Sequence, residues 1–212
     1  MKLNRKSQAY QMIKNRILSF QLLPGVKISD EGVAKELGIS RTPVREALSM
    51  LSEAGLVESR INCGFTVKKF REKEVEDIYM VRECLERLIV RLTIANWDNA
   101  KEKEFRALLA RYPKIMKIGK LAEYSRADDY FHDLIAKYSG NQTALLSLEK
   151  LRDQIIIIRR YDHLRTTSFN ETYEEHCEIL DFMAKGETKK AEEHMSIHIL
   201  SSMKVVMEVI KN

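Results

Sequence analysis

Hydrophobic side chains recur every three or four positions along most of the chain, beginning near residue 5. This spacing places them on one face of an α-helix, so it predicts a mostly helical fold. The helical spacing is interrupted at residues 56–60 and 65–69, where two short runs predict strands with a turn at 62–64 between them. We therefore expect a mostly α protein that contains one β-hairpin.

Three helices are expected before the hairpin. The first covers residues 5–20. We expect Asp30 to cap the N-terminus of the second helix, and Gly38 to permit a tight turn after it. Ser40 is placed to cap the third helix, and Pro43 lies in its first turn, where a missing N–H group costs nothing. Two helices joined by a glycine turn and followed by a hairpin form a winged helix-turn-helix.

The first turn of the third helix carries Arg41, Thr42 and Arg45 on the side opposite its apolar stripe. In a helix-turn-helix this turn enters the major groove of DNA, where arginine pairs with guanine through two hydrogen bonds. The alternative is that both arginines are ordinary surface or capping residues. The pattern of the surrounding elements favours DNA binding.

The second part of the chain is expected to be an antiparallel helical bundle. Its apolar spacing predicts six helices, at residues 72–96, 98–118, 120–139, 141–161, 169–185 and 188–210. The run from Gln154 to Ile158 is also compatible with a strand. Leucines precede it at helical spacing, which favours a fully buried helix.

Glycine and charge divide the chain into the same two parts, which we place at residues 1–70 and 71–212. Five of the eight glycines fall within the first 64 residues, as expected for a domain of short elements. The first 70 residues hold 12 lysines and arginines against six aspartates and glutamates, whereas the chain as a whole has a net charge of +5. The positive excess therefore lies in the first domain, where it suits a polyanion such as double-stranded DNA.

The overall composition indicates a cytoplasmic globular protein. Hydrophobic residues make up 44% of the chain and charged residues 32%. The longest stretch without a charge has ten residues, about half of what a membrane-spanning helix needs, so no membrane partner is expected. The three cysteines have no CxxC spacing and are expected to be reduced thiols.

The five histidines suggest a metal site. Asp128 and His132 are four residues apart, so they lie on one helix face as a carboxylate and an imidazole ligand. His176 and His198 fall on the last two predicted helices, and a site of one carboxylate and three imidazoles suits a divalent ion, Zn²⁺ or Ni²⁺ above all. The alternative is that each is an ordinary surface or hydrogen-bonded histidine. His194 is expected on the helix surface or behind the ligands, and His163 in a loop without a role.

The first domain resembles the GntR family of bacterial transcription regulators. The resemblance is carried by Pro24-Gly25, by Gly55-Leu56-Val57, by Gly64 and by the run Leu37-Gly38-Ile39-Ser40-Arg41-Thr42-Pro43-Val44-Arg45-Glu46-Ala47-Leu48. It implies that Ser40, Arg41, Thr42 and Arg45 contact the operator, and that the wing places Asn62 and Gly64 in or over the minor groove. The chain departs from the family at Glu31, where a basic residue is frequent, so no DNA contact is carried over to that position.

The second domain resembles the FCD ligand-binding domain of the FadR subfamily. The matching residues are Asp128-Asp129-Tyr130-Phe131-His132, Ser139-Gly140-Asn141, and Glu175-His176 with Gly186, Ala191 and His198. In metal-containing members, the positions of Asp128, His132, His176 and His198 hold a divalent ion. Arg82 also matches a family position and is expected to bind the carboxylate of an effector, the alternative being a salt bridge with Glu86.

These patterns together predict a transcription regulator and not an enzyme. We expect a homodimer on a palindromic operator, controlled by a small carboxylate effector bound at the metal. One alternative is a helical metalloenzyme such as a hydrolase, with Glu175 or Glu178 near an activated water. The other is a regulator whose metal is purely structural or is itself the signal.

Overall fold

The computed structural model describes residues 4–60, 64–118, 121–162 and 169–211. These residues form ten helices and three short strands, which confirms the expected mostly α class. The chain divides into two compact units, one of residues 1–71 with 152–157 and the other of residues 72–151 with 158–212. None of the described helices is long and apolar enough to cross a membrane.

The first unit combines three helices with a small antiparallel sheet. In chain order its elements are α1 (Arg5–Leu18), β1 (Lys27–Ile28), α2 (Asp30–Leu37), α3 (Arg41–Glu53), β2 (Val57–Arg60) and β3 (Gly64–Val67). The strand order is β1-β3-β2, with Lys27 opposite Thr66 and Ser59 opposite Phe65. Sequence analysis predicted the hairpin of β2 and β3 but missed β1, because a two-residue strand has no measurable periodicity.

The core of the first unit lies between α1 and α3. The buried apolar residues that face each other there are Ala9, Ile13 and Ile17 of α1 and Val44, Ala47, Leu48 and Leu51 of α3. Because this stripe faces inward, the opposite side of α3 faces solvent, and Arg41 and Arg45 lie there.

The predicted cap of α2 was wrong by one residue. Ser29 is the N-cap, and its Oγ accepts a hydrogen bond from the Gly32 N–H at 3.0 Å. Asp30 is therefore the first helical residue, and its carboxylate is free of the capping role. Gly38 ends α2 in the left-handed region with φ 62°, as its predicted turn requires. Ser40 occupies the N-cap position of α3, but its side chain makes no capping hydrogen bond.

Seven described helices follow, and they form the second unit except for residues 152–157, which group with the first unit. They are α4 (Glu72–Ala95), α5 (Asn99–Leu109), α6 (Tyr112–Ile118), α7 (Leu121–Tyr138), α8 (Gln142–Asp162), α9 (Phe169–Ala184) and α10 (Thr188–Lys211). Six were predicted, and the single helix expected over 98–118 was wrong. Pro113 explains the split into α5 and α6, because proline lacks the N–H group that an uninterrupted helix needs and clashes with the preceding turn. The helix predicted over Gln154–Ile158 is confirmed by α8.

Four helices bring polar side chains into the interior of the second unit. Helix α10 packs against α4 and α9, and α4 also packs against α7 and α9. Among the described residues of these four helices, the buried charged and histidine side chains are Arg82, Glu86, Asp128, His132, His176 and His198. Buried groups of this kind are costly unless they are paired, so this interior is where a functional site is expected.

Candidate metal centre and nucleic-acid interface

Asp128, His132, His176 and His198 converge inside the second unit. One potential ligand atom from each residue lies within 4.8 Å of the others, and all four side chains are buried. Asp128 and His132 are placed together by their four-residue spacing on α7, whereas His176 comes from α9 and His198 from α10. The structure thus brings together all four residues that the sequence singled out as metal ligands.

The atoms at the centre of the cluster carry lone pairs with few partners. His132 Nε2 lies 3.2 Å from His198 Nε2, and His176 Nε2 lies 3.3 Å from Asp128 Oδ1. Within the described residues, His176 Nε2 and both Asp128 oxygens lack a hydrogen bond, although the Asp128 carboxylate forms an ion pair with Arg159. Buried polar atoms without hydrogen bonds are rare in folded proteins. A divalent cation would satisfy this donor set, so the residues present fit a metal ion.

Two carboxylates fix the orientation of two of these imidazoles. Glu86 Oε2 lies 3.2 Å from His132 Nδ1, and Glu175 Oε2 lies 2.7 Å from His198 Nδ1. An ionised carboxylate can only accept, so Nδ1 carries the proton and donates it in both pairs. The lone pair of each ring is then on Nε2, which faces the cluster. Pairing of this kind is common behind histidine ligands to metals.

The third imidazole is held by a buried tyrosine. The Tyr112 hydroxyl lies 3.2 Å from His176 Nδ1, so His176 also directs Nε2 toward the cluster. Burial raises the pKa of Tyr112 well above its usual value, so this hydroxyl stays protonated. Tyr112 was not singled out from the sequence, because it lies 64 residues from its partner.

Burial also keeps two of the imidazoles, His176 and His198, neutral. Burial, followed by the charges of His198 and His132, holds the pKa of His176 well below its usual value. Burial lowers the pKa of His198 to about 4, against the opposing effect of Glu175. Burial alone would raise the pKa of Glu86, but His132 and Arg82 lower it to about 2. Near neutral pH, His176 and His198 are therefore neutral, the form in which histidine binds a metal.

The buried Arg82 and the mostly shielded Arg159 border the cluster. Arg82 Nη2 lies 3.3 Å from His132 Nε2, and Arg82 Nε donates to Glu86 Oε1 at 3.3 Å. The salt bridge with Glu86, one of the two roles left open for Arg82, is thus present, and the guanidinium also reaches the cluster. Arg159 contacts Asp128 and donates to Asp129 at 2.7 Å. Sequence analysis missed Arg159, because no spacing relates α8 to α7.

Among the described residues, one further histidine, His194, lies outside the cluster. His194 Nδ1 lies 3.0 Å from Glu178 Oε2, and its side chain is partly exposed. His163 lies outside the described residues. Glu175, which the enzyme alternative used as a base, lies behind His198 as its hydrogen-bond partner.

The candidate DNA-contacting residues of α3 lie together on the surface of the first unit. Ser40, Arg41, Thr42 and Arg45 are all exposed. Gly64 is exposed at the start of β3 with φ 83°, a conformation that favours glycine. Asn62 lies outside the described residues. The described part of this surface has the composition and placement of a recognition helix beside a wing.

Comparison with known proteins supports the same assignment for both units. Residues 5–67 match the family of bacterial regulatory proteins, gntR family, and residues 77–201 match the FCD domain. The chain is 30% identical over 195 residues to the HTH-type transcriptional regulator YdhC of Bacillus subtilis (strain 168), which covers 90% of this chain and 86% of YdhC.

Solved structures share the fold at low sequence identity. E. coli McbR/YncC superimposes with a TM-score of 0.80 and 19% identity, covering 98% of this chain and 99% of that chain. The metal-free FCD domain of TM0439 superimposes with a TM-score of 0.58 and 17% identity, covering 68% of this chain and 98% of that domain.

Fold and sequence together define a DNA-binding transcriptional regulator rather than an enzyme. The chain belongs to the GntR family of bacterial regulators, with an FCD domain following its helix-turn-helix domain.

Proposed function

We propose that this regulator binds a palindromic operator as a homodimer, and that a small organic acid bound at a divalent metal controls its operator affinity. The proposal is carried by one observation, the buried convergence of Asp128 with three imidazoles whose Nδ1 atoms are all held by other side chains. Such an arrangement turns three Nε2 atoms and a carboxylate toward a common ion.

Asp128, His132, His176 and His198 would hold the ion, and their donor types favour Zn²⁺ or Ni²⁺. When bound, the metal supplies a Lewis-acidic centre for which a carboxylate is a good hard ligand. The protein contributes the fixed ring orientations through Glu86, Tyr112 and Glu175.

The two arginines beside the cluster supply the selectivity for an acid. A guanidinium presents a rigid fork of N–H groups that matches a carboxylate. Arg82, the effector residue expected from the sequence, borders the cluster from α4, and Arg159 borders it from α8. A dicarboxylic, hydroxy or keto acid would satisfy one of these cations while its other end approaches the cluster.

Regulation follows if the acid binds two arrangements of the protein with different affinity. An acid at this site touches α4, α7 and α8 together, so it favours the arrangement of these helices that fits it better. A coupling free energy of about 1–3 kcal/mol between acid and operator is sufficient for control.

The experiment is a thermal-shift screen of hydroxy-, keto-, di- and sugar acids on the metal-loaded protein and on its His176→Ala variant. We expect at least one acid to stabilise the wild type and to have little effect on the variant. Equal stabilisation of both proteins, or none with any acid, would contradict an effector anchored at the metal.

A purely structural or signalling ion is the competing function, and the burial of all four side chains favours it. Operator binding should be titrated with metal alone and with metal plus acids. A response to metal alone identifies a metal sensor, and no response to either identifies a structural ion.

The homodimer follows from the small footprint of one recognition helix. A single winged helix reads only a few base pairs, and a two-fold dimer reading two half-sites extends the recognised sequence. Light scattering at micromolar concentration, with and without operator DNA, should give the mass of a dimer. A monomer mass in both conditions would contradict the proposal.

A further inference from the structure

Asp30 holds both arginines of the recognition helix at once. Arg41 Nη2 donates to the two carboxylate oxygens of Asp30, at 3.0 Å each, and Arg45 Nη1 donates to Oδ2 at 3.3 Å. The Asp30 side chain is only 17% exposed, whereas those of Arg41 and Arg45 are 56% and 61% exposed. One shielded carboxylate thus anchors two solvent-facing guanidiniums.

The anchor is rigid and charged. Asp30 is the first residue of α2, and the Ser29 cap fixes the backbone beside it. Partial burial opposes ionisation of Asp30, but hydrogen bonds and charge from Arg41 hold its pKa below the usual value. The carboxylate is therefore ionised near neutral pH, and its position at a helix N-terminus is favourable for a negative charge.

The two arginines bound by Asp30 lie beside an open surface cavity, which we call the hollow. Arg41, Arg45 and Asp30 line a surface cavity of about 380 Å³ together with Lys27 and Phe65. The Arg45 guanidinium also lies 5.9 Å from the centre of the Phe65 ring, on the strand that follows the wing turn. Arg45 is thereby restrained from two sides, by a carboxylate and by an aromatic face.

Asp30 affects DNA binding in two ways, by restraining the two arginines and by its own negative charge. A free arginine loses rotamer freedom when it contacts a base, and an arginine that is already oriented loses less. A carboxylate beside the same contacts also repels phosphate, which weakens binding to DNA of every sequence. Asp30 therefore favours the specific complex relative to the non-specific one.

We propose that Asp30 is a positioning residue for operator recognition, which orients Arg41 and Arg45 for base contacts and lowers affinity for random DNA. The proposal rests on the proposed function to the extent that these two arginines face the operator. Asp30 itself makes no contact with a base in this proposal.

Glu31 provides a matched control. It is the adjacent residue on α2, it is also acidic, and it lines the same hollow. The hydrogen bond that Arg41 donates to Asp30 is the largest cause of the raised pKa of Arg41, whereas Glu31 contributes through charge. Replacing Glu31 therefore removes an equal charge and leaves the hydrogen bonds of Asp30 with Arg41 and Arg45 in place.

The test compares full-length wild type with Asp30→Asn, Asp30→Glu and Glu31→Gln. The probes are an operator duplex selected from a randomised pool with the wild-type protein and a shuffled duplex of equal composition. We expect Asp30→Asn to bind the shuffled duplex more tightly and to lose at least about fivefold in the ratio of operator to shuffled affinity. Asp30→Glu should recover part of that ratio, and Glu31→Gln should strengthen both complexes by similar factors.

Two results would overturn the proposal. One is an unchanged ratio in Asp30→Asn, which would mean that Asp30 acts through charge alone. The other is a loss in the ratio of operator to shuffled affinity in Glu31→Gln that equals the loss in Asp30→Asn. Melting temperatures establish whether each variant is folded. If Asp30→Asn is unfolded, the ratio of operator to shuffled affinity in Asp30→Glu tests the proposal instead. Arg41→Ala and Arg45→Ala test whether these arginines contact the operator at all. An unchanged ratio of operator to shuffled affinity in both variants would show that they do not, and the proposal would then have no basis.

Discussion

The carboxylate of Glu175 lies 2.7 Å from Nδ1 of His198, on the side of the ring away from the metal cluster. One turn further along α9, Glu178 makes a similar contact of 3.0 Å with Nδ1 of His194, which is not in the cluster. The two pairs join the same helices and differ only in whether the histidine is a candidate ligand.

Glu175→Ala should weaken metal binding by about 10–100-fold, because its carboxylate orients the His198 ring and raises the basicity of Nε2. Glu178→Ala should leave metal affinity unchanged. Competition with a chromogenic Zn²⁺ chelator measures both variants. Equal affinities for Glu175→Ala and the wild type would mean that the pair with His198 has no part in metal binding.

His132→Ala, His176→Ala and His198→Ala should each lose the metal, because each removes one of four converging donors. His194→Ala should retain it, since His194 pairs with Glu178 outside the cluster. Elemental analysis of the purified proteins provides the measurement. Full metal occupancy in all three cluster variants would refute the site.

Arg45→Ala should weaken operator binding more than binding to random DNA. A bidentate arginine–guanine contact discriminates between bases by about 1–3 kcal/mol. Arg16→Ala is a suitable control, since Arg16 is a partly exposed arginine of the same unit that pairs with Glu36 away from α3. An equal loss on both duplexes would show that Arg45 contacts phosphate or nothing.

The metal-free protein should lose stability as the pH falls from about 6.5 toward 5. The pKa of His176 is well below its usual value and that of His198 is about 4, so the unfolded chain binds protons that the folded protein does not. The free energy of unfolding should therefore be highest above the usual histidine pKa. Below that pKa it should fall by up to about 1.4 kcal/mol for each histidine as the pH decreases by one unit.

Urea unfolding of chelator-treated protein at several pH values between 7.5 and 5 measures this dependence. His198→Gln should show a shallower slope, because one of the two buried imidazoles is then absent. A flat profile for the wild type would contradict neutral, buried histidines.

Local rules explain which parts of the fold were predictable. Asp128 and His132 share a face because a helix repeats every 3.6 residues, and Gly38 adopts φ 62° because glycine has no Cβ to clash. Errors arose where several local signals compete. Ser29 and Asp30 both suit an N-cap, and the apolar spacing of 98–118 concealed the break that Pro113 imposes.

The sequence alone was sufficient for the mostly α class, the helix-turn-helix and the candidate ligands, because periodicity, caps and turns depend on neighbouring residues. Only tertiary packing brought His176 and His198 to Asp128, placed Glu175 behind His198, and set Arg159 against the cluster. These contacts join different helices, and their distances depend on how α7, α8, α9 and α10 pack. Helical periodicity assigns a side chain to a face, but it does not determine which face of another helix lies opposite.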